Sequence, residues 1–372
     1  MKEIESLEQL EELLTEGQQQ INRCAFQNLN FEKYETQTAN THFSDCIFMG
    51  CNLSNGLTQK LIENRNHVFP KMDVPFETYP AKLYTKETIY NNFNPDNPDS
   101  YNQTYDKIVY DHYVENGRYS PDSIYETLAR RLHDHSITDA LMDILDTIPP
   151  KKVVAIMGGH SLSRDSADYF KVAHIAKELS EKGFFILTGG GPGAMEAAHL
   201  GTWFDSASLD DLQSAVNILS EAPMYNDANW LQKAFVVIKQ FPKNSKKEDD
   251  IGIPTWLYGH EPPTPFASKI AKYFANSVRE EGLLALAKGG IIYTPGSAGT
   301  IQEIFQDATQ NHYNSYGIIS PMVFYNKTFW TEEKPVYPLL TKLAEGMDYG
   351  KLLSISDDVD EIVGTLVRFE KN

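Results

Sequence analysis

The feature that most constrains this chain is an apolar run followed by a glycine turn and a helical pattern, which occurs three times. The apolar runs lie at 153–157, 184–188 and 290–294, and the glycines that follow lie at 158–159, 189–193 and 296–299. Strands that alternate with helices predict an α/β fold with a doubly wound, Rossmann-like parallel sheet. Because ligands bind outside the carboxyl ends of parallel strands, we expect the three turns to meet at one sheet edge.

The third turn carries the most chemistry. From Pro295 to Glu303 the sequence reads PGSAGTIQE. Its glycines let the backbone approach a ligand closely, and the start of the next helix offers unpaired N–H groups and a positive dipole end, which suit a phosphate. Glu303 lies about one turn into that helix. The segment therefore predicts an anion-binding site next to Glu303, a side chain that can act as an acid or a base.

The second turn has the outline of a dinucleotide fingerprint, Gly-x-Gly-x-x-Ala, at Gly189, Gly191 and Ala194. That fingerprint normally follows the first strand of its domain and is completed by an acidic residue at the end of the next strand. Here it follows the second strand, and 209–213 has a helical pattern. A tight turn without a ligand and a dinucleotide site are both alternatives, but we favour a mononucleotide phosphate or ribose site.

The first turn offers an imidazole, a hydroxyl and a guanidinium, from His160, Ser161 and Arg164. Arginine suits phosphate because its donors are planar and always charged. The alternative is that His160 and Arg164 only satisfy backbone groups of the loop. Ser161 is not expected to be a nucleophile, because no Gly-x-Ser-x-Gly elbow surrounds it.

The composition disfavours several classes of function. The 372 residues allow a large domain with an appendage, and 33 basic against 51 acidic residues give a net charge of −18. This charge disfavours binding to nucleic acid or to an acidic membrane. No run reaches the roughly 20 apolar residues of a membrane span, and the acidic start of the chain lacks a signal-peptide core.

The three cysteines, Cys24, Cys46 and Cys51, all lie near the start of the chain. Their odd number is atypical of a disulfide framework, and no zinc-binding spacing of cysteine and histidine occurs. We therefore expect a soluble protein of the reducing cytoplasm that uses no metal and no cofactor.

Residues 1–150 follow a different pattern, which predicts an N-terminal extension. An acidic amphipathic helix is expected over 1–20. Apolar residues then recur every five positions, as in Phe26 and Phe31 and again in Phe43 and Phe48. This spacing resembles a pentapeptide-repeat solenoid, but two short patches are too few for a free-standing one, so we expect a small β-rich cap.

The rest of the extension is expected to be an ordered wrapping segment over 68–122 and a helix over 123–148. Residues 151–372 would then form a nucleotide-binding catalytic domain. Within that domain, we expect a strand at 253–258 and a helix over 265–286.

Taken together, the motifs resemble the Lonely Guy family of nucleoside-monophosphate phosphoribohydrolases. The markers of that family, Gly-Gly-Gly-x-x-Gly and Pro-Gly-Gly-x-Gly-Thr-x-x-Glu, correspond to GGGPGAME at 189–196 and to PGSAGTIQE at 295–303. The Gly-Gly-His-Ser stretch at 158–161 and Glu-Pro-Pro at 261–263 look more like the larger bacterial pyrimidine/purine nucleotide 5′-monophosphate nucleosidases of the same superfamily. The resemblance covers roughly residues 150–330.

The resemblance implies hydrolysis of a nucleoside 5′-monophosphate to free base and ribose 5-phosphate. Arg279 and Glu303 match the catalytic pair of the family, although Arg279 alone would pass for a surface arginine beside two glutamates. The resemblance also implies a homodimer or higher homo-oligomer. Two positions depart from the family pattern: Ala194 and Ser297 replace glycines of the two markers.

A non-catalytic nucleotide or alarmone sensor that uses the same phosphate site is the main alternative function, and a dinucleotide oxidoreductase ranks last. The residues expected to bind substrate or phosphate are Gly158, Gly159, His160, Ser161, Arg164, Gly190, Gly191, Gly193, Ala194, Met195, Glu196, Gly296, Ser297, Ala298, Gly299 and Thr300.

Overall fold

The structure, a computed structural model, describes residues 1–15, 20–243, 245 and 247–372. These residues group into two compact units, Met1–Leu83 with Glu115–Met142 and Tyr84–Val114 with Asp143–Asn372. The units interleave along the chain, whereas the sequence pattern places one boundary after residue 150. Among the described residues, no helix is both long enough and apolar enough to cross a membrane.

The first unit begins with short strands and helices in alternation. They are β1 (Lys2–Ile4), α1 (Leu7–Thr15), β2 (Gln20–Asn22), β3 (Cys24–Gln27), α2 (Glu35–Asn40), β4 (His42–Ser44), β5 (Ile47–Met49), α3 (Asn55–Glu63) and β6 (His67–Phe69). Strands β1, β3, β5 and β6 form one parallel sheet in that order, and β2 pairs with β4. The helix predicted over 1–20 is thus shorter and follows a strand, and residues 16–19 lie outside the described residues.

Neighbouring coils of this unit pair at offsets of 20 or 22 residues. Cys24 lies opposite Lys2 at an offset of 22, whereas His67 lies opposite Ile47 at an offset of 20. Within a coil, Phe26 and Phe31 are both buried at the five-residue spacing. The resemblance to a pentapeptide-repeat solenoid stays a prediction, and apolar side chains of adjacent coils stack in register.

Stacked aromatic rings fill the interior of these coils. The rings of Phe26 and Phe48 lie parallel, with centroids 4.7 Å apart and an interplanar angle of 16°. The three cysteines are free and buried in the same interior. Burial raises the pKa of Cys51 to about 11, so this thiol remains protonated and serves as a small core residue.

The second unit is built on a seven-stranded parallel sheet. It includes α4 (Lys86–Ile89) and most of α5 (Tyr105–Glu115), whereas most of α6 (Ile124–Leu145) belongs to the first unit. The strands of the second unit are β7 (Val153–Met157), β8 (Phe185–Thr188), β9 (Asp250–Gly252), β10 (Lys269–Ile270), β11 (Gly290–Tyr293), β12 (Met322–Tyr325) and β13 (Leu353–Ser356). Their order is β10-β9-β8-β7-β11-β12-β13. The predicted α/β class with a parallel sheet is confirmed.

Helices connect these strands. They are α7 (Ala167–Glu181), α8 (Ala194–Trp203), α9 (Leu209–Leu219), α10 (Trp230–Gln240), α11 (Asn276–Leu286), α12 (Ala298–Tyr313), α13 (Val336–Leu343) and α14 (Val359–Lys371). Because β7 pairs with β8 on one side and β11 on the other, the strand order changes direction between β7 and β11. The turns that follow these two strands flank that switch point.

Two predicted elements differ from the structure. The strand expected at 253–258 lies earlier, at Asp250–Gly252, and Trp256–Tyr258 is a 3-10 turn. Pro254 lacks the N–H that would continue the sheet ladder. The helix expected over 265–286 covers only Asn276–Leu286, because Lys269–Ile270 pairs with β9 as a strand.

Candidate functional site

The three glycine turns meet at the switch point of the sheet. The amide of Gly159 donates to the carbonyl of Pro295 (3.0 Å), and the amide of Ala194 donates to the carbonyl of Gly159 (3.1 Å). A side chain at Gly158 would collide with Thr294 and Ala194. The turns after β7, β8 and β11 therefore form one continuous surface, as the sequence predicts.

The turn after β8 depends on backbone shapes that only glycine adopts readily. Gly190 and Gly193 both have a φ of +70°. A side chain on Gly193 would also collide with the carbonyl of Gly159. This close packing places the N-terminus of α8 against the turn after β7.

A buried polar network stabilises the turn after β8. The amide of Gly190 donates to Thr188 Oγ1 (2.9 Å), and Thr188 Oγ1 lies 2.8 Å from His199 Nε2. His199 Nδ1 is hydrogen-bonded to Asp250, which also accepts from the hydroxyl of Thr202 at 2.9 Å. The four side chains are buried. Sequence reasoning missed this network because its members come from β8, α8 and β9.

The turn after β11 is the most open of the three. Ser297, Ala298 and Gly299 are exposed at the start of α12, where the first N–H groups have no partner within the helix. Lys334 Nζ donates to the carbonyl of Gly296 (2.7 Å), which brings an ammonium group to this turn. Lys334 was not predicted, since it lies 31 residues beyond Glu303 in a loop.

Glu303 and Arg279 lie together beside this turn. The distance from Arg279 Nη1 to Glu303 Oε1 is 3.7 Å, and both side chains are largely buried. Burial raises the pKa of Glu303 to about 7, although the positive charge of Arg279 opposes the rise. The carboxyl group can therefore exchange a proton near neutral pH.

Arg279 is not a solvated surface arginine. Its Nε is buried and has no hydrogen-bond partner among the described residues. Its Nη2 lies 3.1 Å from the position that a Cβ of Gly189 would take. The guanidinium thus reaches from Glu303 to the turn after β8, and part of its hydrogen-bonding capacity is not used by the protein.

A second carboxylate lies at the rim of the site. Glu261 Oε1 is 3.6 Å from His160 Nδ1 and 3.8 Å from His260 Nε2. Burial raises the pKa of Glu261, and the nearby charges of His160, His260 and Arg279 oppose the rise. Both imidazoles are exposed, so this cluster borders solvent.

The structure corrects two of the predicted phosphate contacts. Arg164 donates from Nε and Nη2 to both carboxylate oxygens of Glu196 (2.8 and 2.6 Å), and from Nη1 to the carbonyls of Ala222 and Trp230. Glu196 also accepts from the hydroxyl of Tyr169 (2.9 Å). Arg164 and Glu196 are fully buried and use their polar atoms on protein groups, so neither contacts a ligand here.

The remaining predicted residues divide by exposure. Those exposed at the mouth of the site are His160, Ser161, Ser297, Ala298 and Gly299. Those buried within the turns are Gly159, Gly190, Gly191, Gly193, Ala194 and Thr300, and those half-buried are Gly158, Met195 and Gly296. The arrangement brings backbone donors, an ammonium and a guanidinium close to a carboxyl group with a pKa near neutrality.

No family model matches the sequence, and no curated protein matches it. Among solved structures, the molybdenum cofactor carrier protein of Chlamydomonas reinhardtii is similar at 14% identity and a TM-score of 0.36, over 59% of this chain and 98% of that chain. The molybdenum cofactor binding protein of Rippkaea orientalis is similar at 14% identity and 0.36, over 58% and 95%. At this TM-score the similarities carry no argument about function.

Proposed function

We propose that the protein hydrolyses the N-glycosidic bond of a nucleoside 5′-monophosphate and releases free base and ribose 5-phosphate. The observation that carries the proposal is the pair of Glu303 and Arg279. A carboxyl group with a pKa of about 7 lies 3.7 Å from a guanidinium, beside an open helix N-terminus. The strand order supports a Rossmann-like nucleotide-binding domain with its ligand crevice between β7 and β11.

Each part of the site has a role in this reaction. The phosphate binds at the exposed N-terminus of α12, near the ammonium of Lys334. Arg279, whose Nε has no hydrogen-bond partner among the described residues, places positive charge beside the reacting sugar. The turns after β7 and β8 form the opposite wall. Holding the phosphate in this way fixes the sugar next to Glu303, so that reaction is effectively intramolecular.

The chemistry needs a base and a group that stabilises positive charge. As the bond between C1′ and the base nitrogen breaks, the sugar becomes oxocarbenium-like, and the carboxylate of Glu303 stabilises that charge. Glu303 then accepts a proton from the attacking water, whose oxygen forms the new bond to C1′. Glu303 returns this proton through solvent to the leaving base, so the carboxylate is regenerated and the products are ribose 5-phosphate and the neutral base.

The test is base release from a panel of purine and pyrimidine nucleoside 5′-monophosphates, followed by chromatography. We expect at least one nucleotide to be cleaved by the wild type. Glu303→Gln should lower cleavage by about 10²–10⁴-fold while it retains nucleotide binding. Glu345→Gln, at an exposed glutamate on the same unit, should leave cleavage unchanged. Binding without base release from any nucleotide would instead establish a sensor.

The proposal includes an assembly and a location. We propose a cytoplasmic homodimer or larger homo-oligomer that binds neither nucleic acid nor membranes. The net charge of −18 and the free cysteines support this environment. Light scattering of the purified full chain measures the assembly directly, and a monomer at micromolar concentration would contradict this part.

A further inference from the structure

A cavity of about 350 Å³ lies in the second unit, apart from the glycine turns. Its walls include five aromatic side chains, from Phe93, Tyr101, Tyr110, Tyr225 and Trp230. Pockets of about 300–1,000 Å³ with apolar walls and a few polar groups are typical of small-molecule sites. This cavity is therefore of a size and character that suits one planar group with part of its sugar, and it is small for a dinucleotide.

One wall of the cavity comes from residues 93–110, which lie outside the family resemblance. The wall is fixed to the rest of the unit by buried polar contacts. Tyr101 donates to Asp106 (3.1 Å), and Asp106 forms a fully buried ion pair with Lys272. Tyr90 donates to the carbonyl of Pro263, and the ring of Phe93 packs against Phe235 with centroids 5.1 Å apart. The cavity is thus formed before any ligand arrives.

The cavity adjoins the glycine turns through the cluster at Glu261. The ring of Tyr225 lines the cavity and packs on the ring of His160, with centroids 5.8 Å apart. His260 also lines the cavity and lies 3.8 Å from Glu261. Glu261 in turn lies beside Gly191, 3.7 Å from the position of a Cβ there. One side of this cluster faces the turns and the other faces the aromatic walls.

We propose that this cavity binds the base of the nucleotide, while the sugar and phosphate occupy the glycine turns. This assignment rests on the proposed function. Aromatic rings stack on the faces of a base whatever its identity. The polar groups at the rim, from His260, Asp227 and Gln232, contact the edge of the base and select among bases. The segment 93–110 therefore supplies stacking surface, and selection among bases rests on these three polar side chains.

Two variants change the cavity from different sides. Tyr225→Ala removes an aromatic wall. Gly259→Ala adds a methyl group that collides with the ring of Tyr110, so this wall of the cavity must shift. The backbone of Gly259 has a φ of −67°, which alanine adopts without strain, so the effect is confined to the ring. Tyr119→Ala, at a tyrosine that is 83% exposed, is the matched control.

The experiment measures binding by calorimetry in the Glu303→Gln background, which prevents turnover. The probes are adenosine, guanosine, cytidine and uridine 5′-monophosphates, together with ribose 5-phosphate, which lacks a base. Tyr225→Ala and Gly259→Ala should each weaken the tightest nucleotide at least tenfold and change ribose 5-phosphate binding less than twofold. Tyr119→Ala should change neither. Circular dichroism checks that each variant is folded.

Equal weakening of nucleotide and ribose 5-phosphate in both folded variants would overturn the assignment, as would unchanged binding in both. The two proposals fail separately. If the wild type releases no base but the cavity variants still weaken nucleotide binding selectively, hydrolysis is wrong and the base pocket stands. If base is released and the variants bind and cleave like the wild type, only the base pocket is wrong.

Discussion

Helices α8 and α12 each follow a strand and a glycine turn, and each carries a glutamate near its start with an arginine partner. Glu196 and Arg164 are joined by hydrogen bonds of 2.6 and 2.8 Å and are enclosed by protein. Glu303 and Arg279 remain 3.7 Å apart. In the pair of Glu196 and Arg164, the charged groups are hydrogen-bonded to protein groups. In the pair of Glu303 and Arg279, the guanidinium Nε has no partner among the described residues. This difference distinguishes a structural ion pair from a candidate catalytic one.

Exchanging each glutamate for glutamine should therefore have opposite effects. Glu303→Gln should lower the rate of base release by about 10²–10⁴-fold and should not destabilise the fold at pH 7, because it removes a carboxylate whose burial is unfavourable. Glu196→Gln leaves the buried charge of Arg164 without its partner and should destabilise the fold by about 3–5 kcal/mol. Urea unfolding and base release on both variants make the measurement. If both variants were as stable as the wild type and lost the same activity, the two ion pairs would not differ in role.

The pH dependence of stability sharpens the same comparison. Folded Glu303 has a pKa of about 7, whereas an unfolded glutamate titrates near about 4.3. The folded state therefore binds the proton more tightly. The wild type should lose about 3–4 kcal/mol relative to Glu303→Gln as pH rises from about 4 to about 8, with no further loss above that.

Urea unfolding of the two proteins across this pH range gives the difference. Burial also raises the pKa of Asp307 to about 7, but this group is present in both proteins and cancels. Removing the opposing charge in Arg279→Ala should move the transition to higher pH. Parallel stability curves for the wild type and Glu303→Gln would contradict the buried position of Glu303.

Replacing a glycine by alanine should have different effects on stability in the turns after β8 and β11. Gly193→Ala meets both a positive φ and the carbonyl of Gly159, and should destabilise the protein by about 1–3 kcal/mol. Gly299 has open space around it within α12, so Gly299→Ala should be neutral or stabilise by up to about 1 kcal/mol. Thermal unfolding gives both values.

Nucleotide binding adds a second readout for Gly299→Ala. If phosphate occupies the N-terminus of α12, the new methyl group should weaken binding in a protein that is no less stable. Unchanged nucleotide affinity would place the phosphate elsewhere.

The smallest expected effect concerns Lys334. Its ammonium donates to Gly296 and lies in a half-exposed position, so Lys334→Ala should lower nucleotide affinity by about 1 kcal/mol, or roughly fivefold. Lys342→Ala, an exposed lysine on α13, is the control. Calorimetry at low and high salt checks the result, since an electrostatic contribution should shrink with salt. A salt-independent loss would indicate that Lys334 only supports the loop.

Strong local patterns made much of the second unit predictable from sequence. The apolar runs that became β7, β8 and β11 are each bounded by glycines, and parallel pairing then brings their turns together. Contacts between distant segments were not predictable. Nothing local indicates that Lys269–Ile270 joins the sheet, or that Arg164 meets Glu196 rather than a ligand.

Two spacings coexist in the first unit. Cys24 and Cys46, and likewise Phe26 and Phe48, are 22 positions apart, and the pairing register has the same offset. The five-residue interval lies within a coil and indicates which side chains are buried. Only the longer interval indicates which strands pair.

The buried network beneath Gly190 affects how fast a ligand can bind. Since Thr188, His199 and Asp250 already hold the turn after β8, this wall of the site does not have to become ordered when a nucleotide arrives. We expect an association rate that rises linearly with nucleotide concentration. Differences in affinity between nucleotides should then reside in how slowly each one leaves.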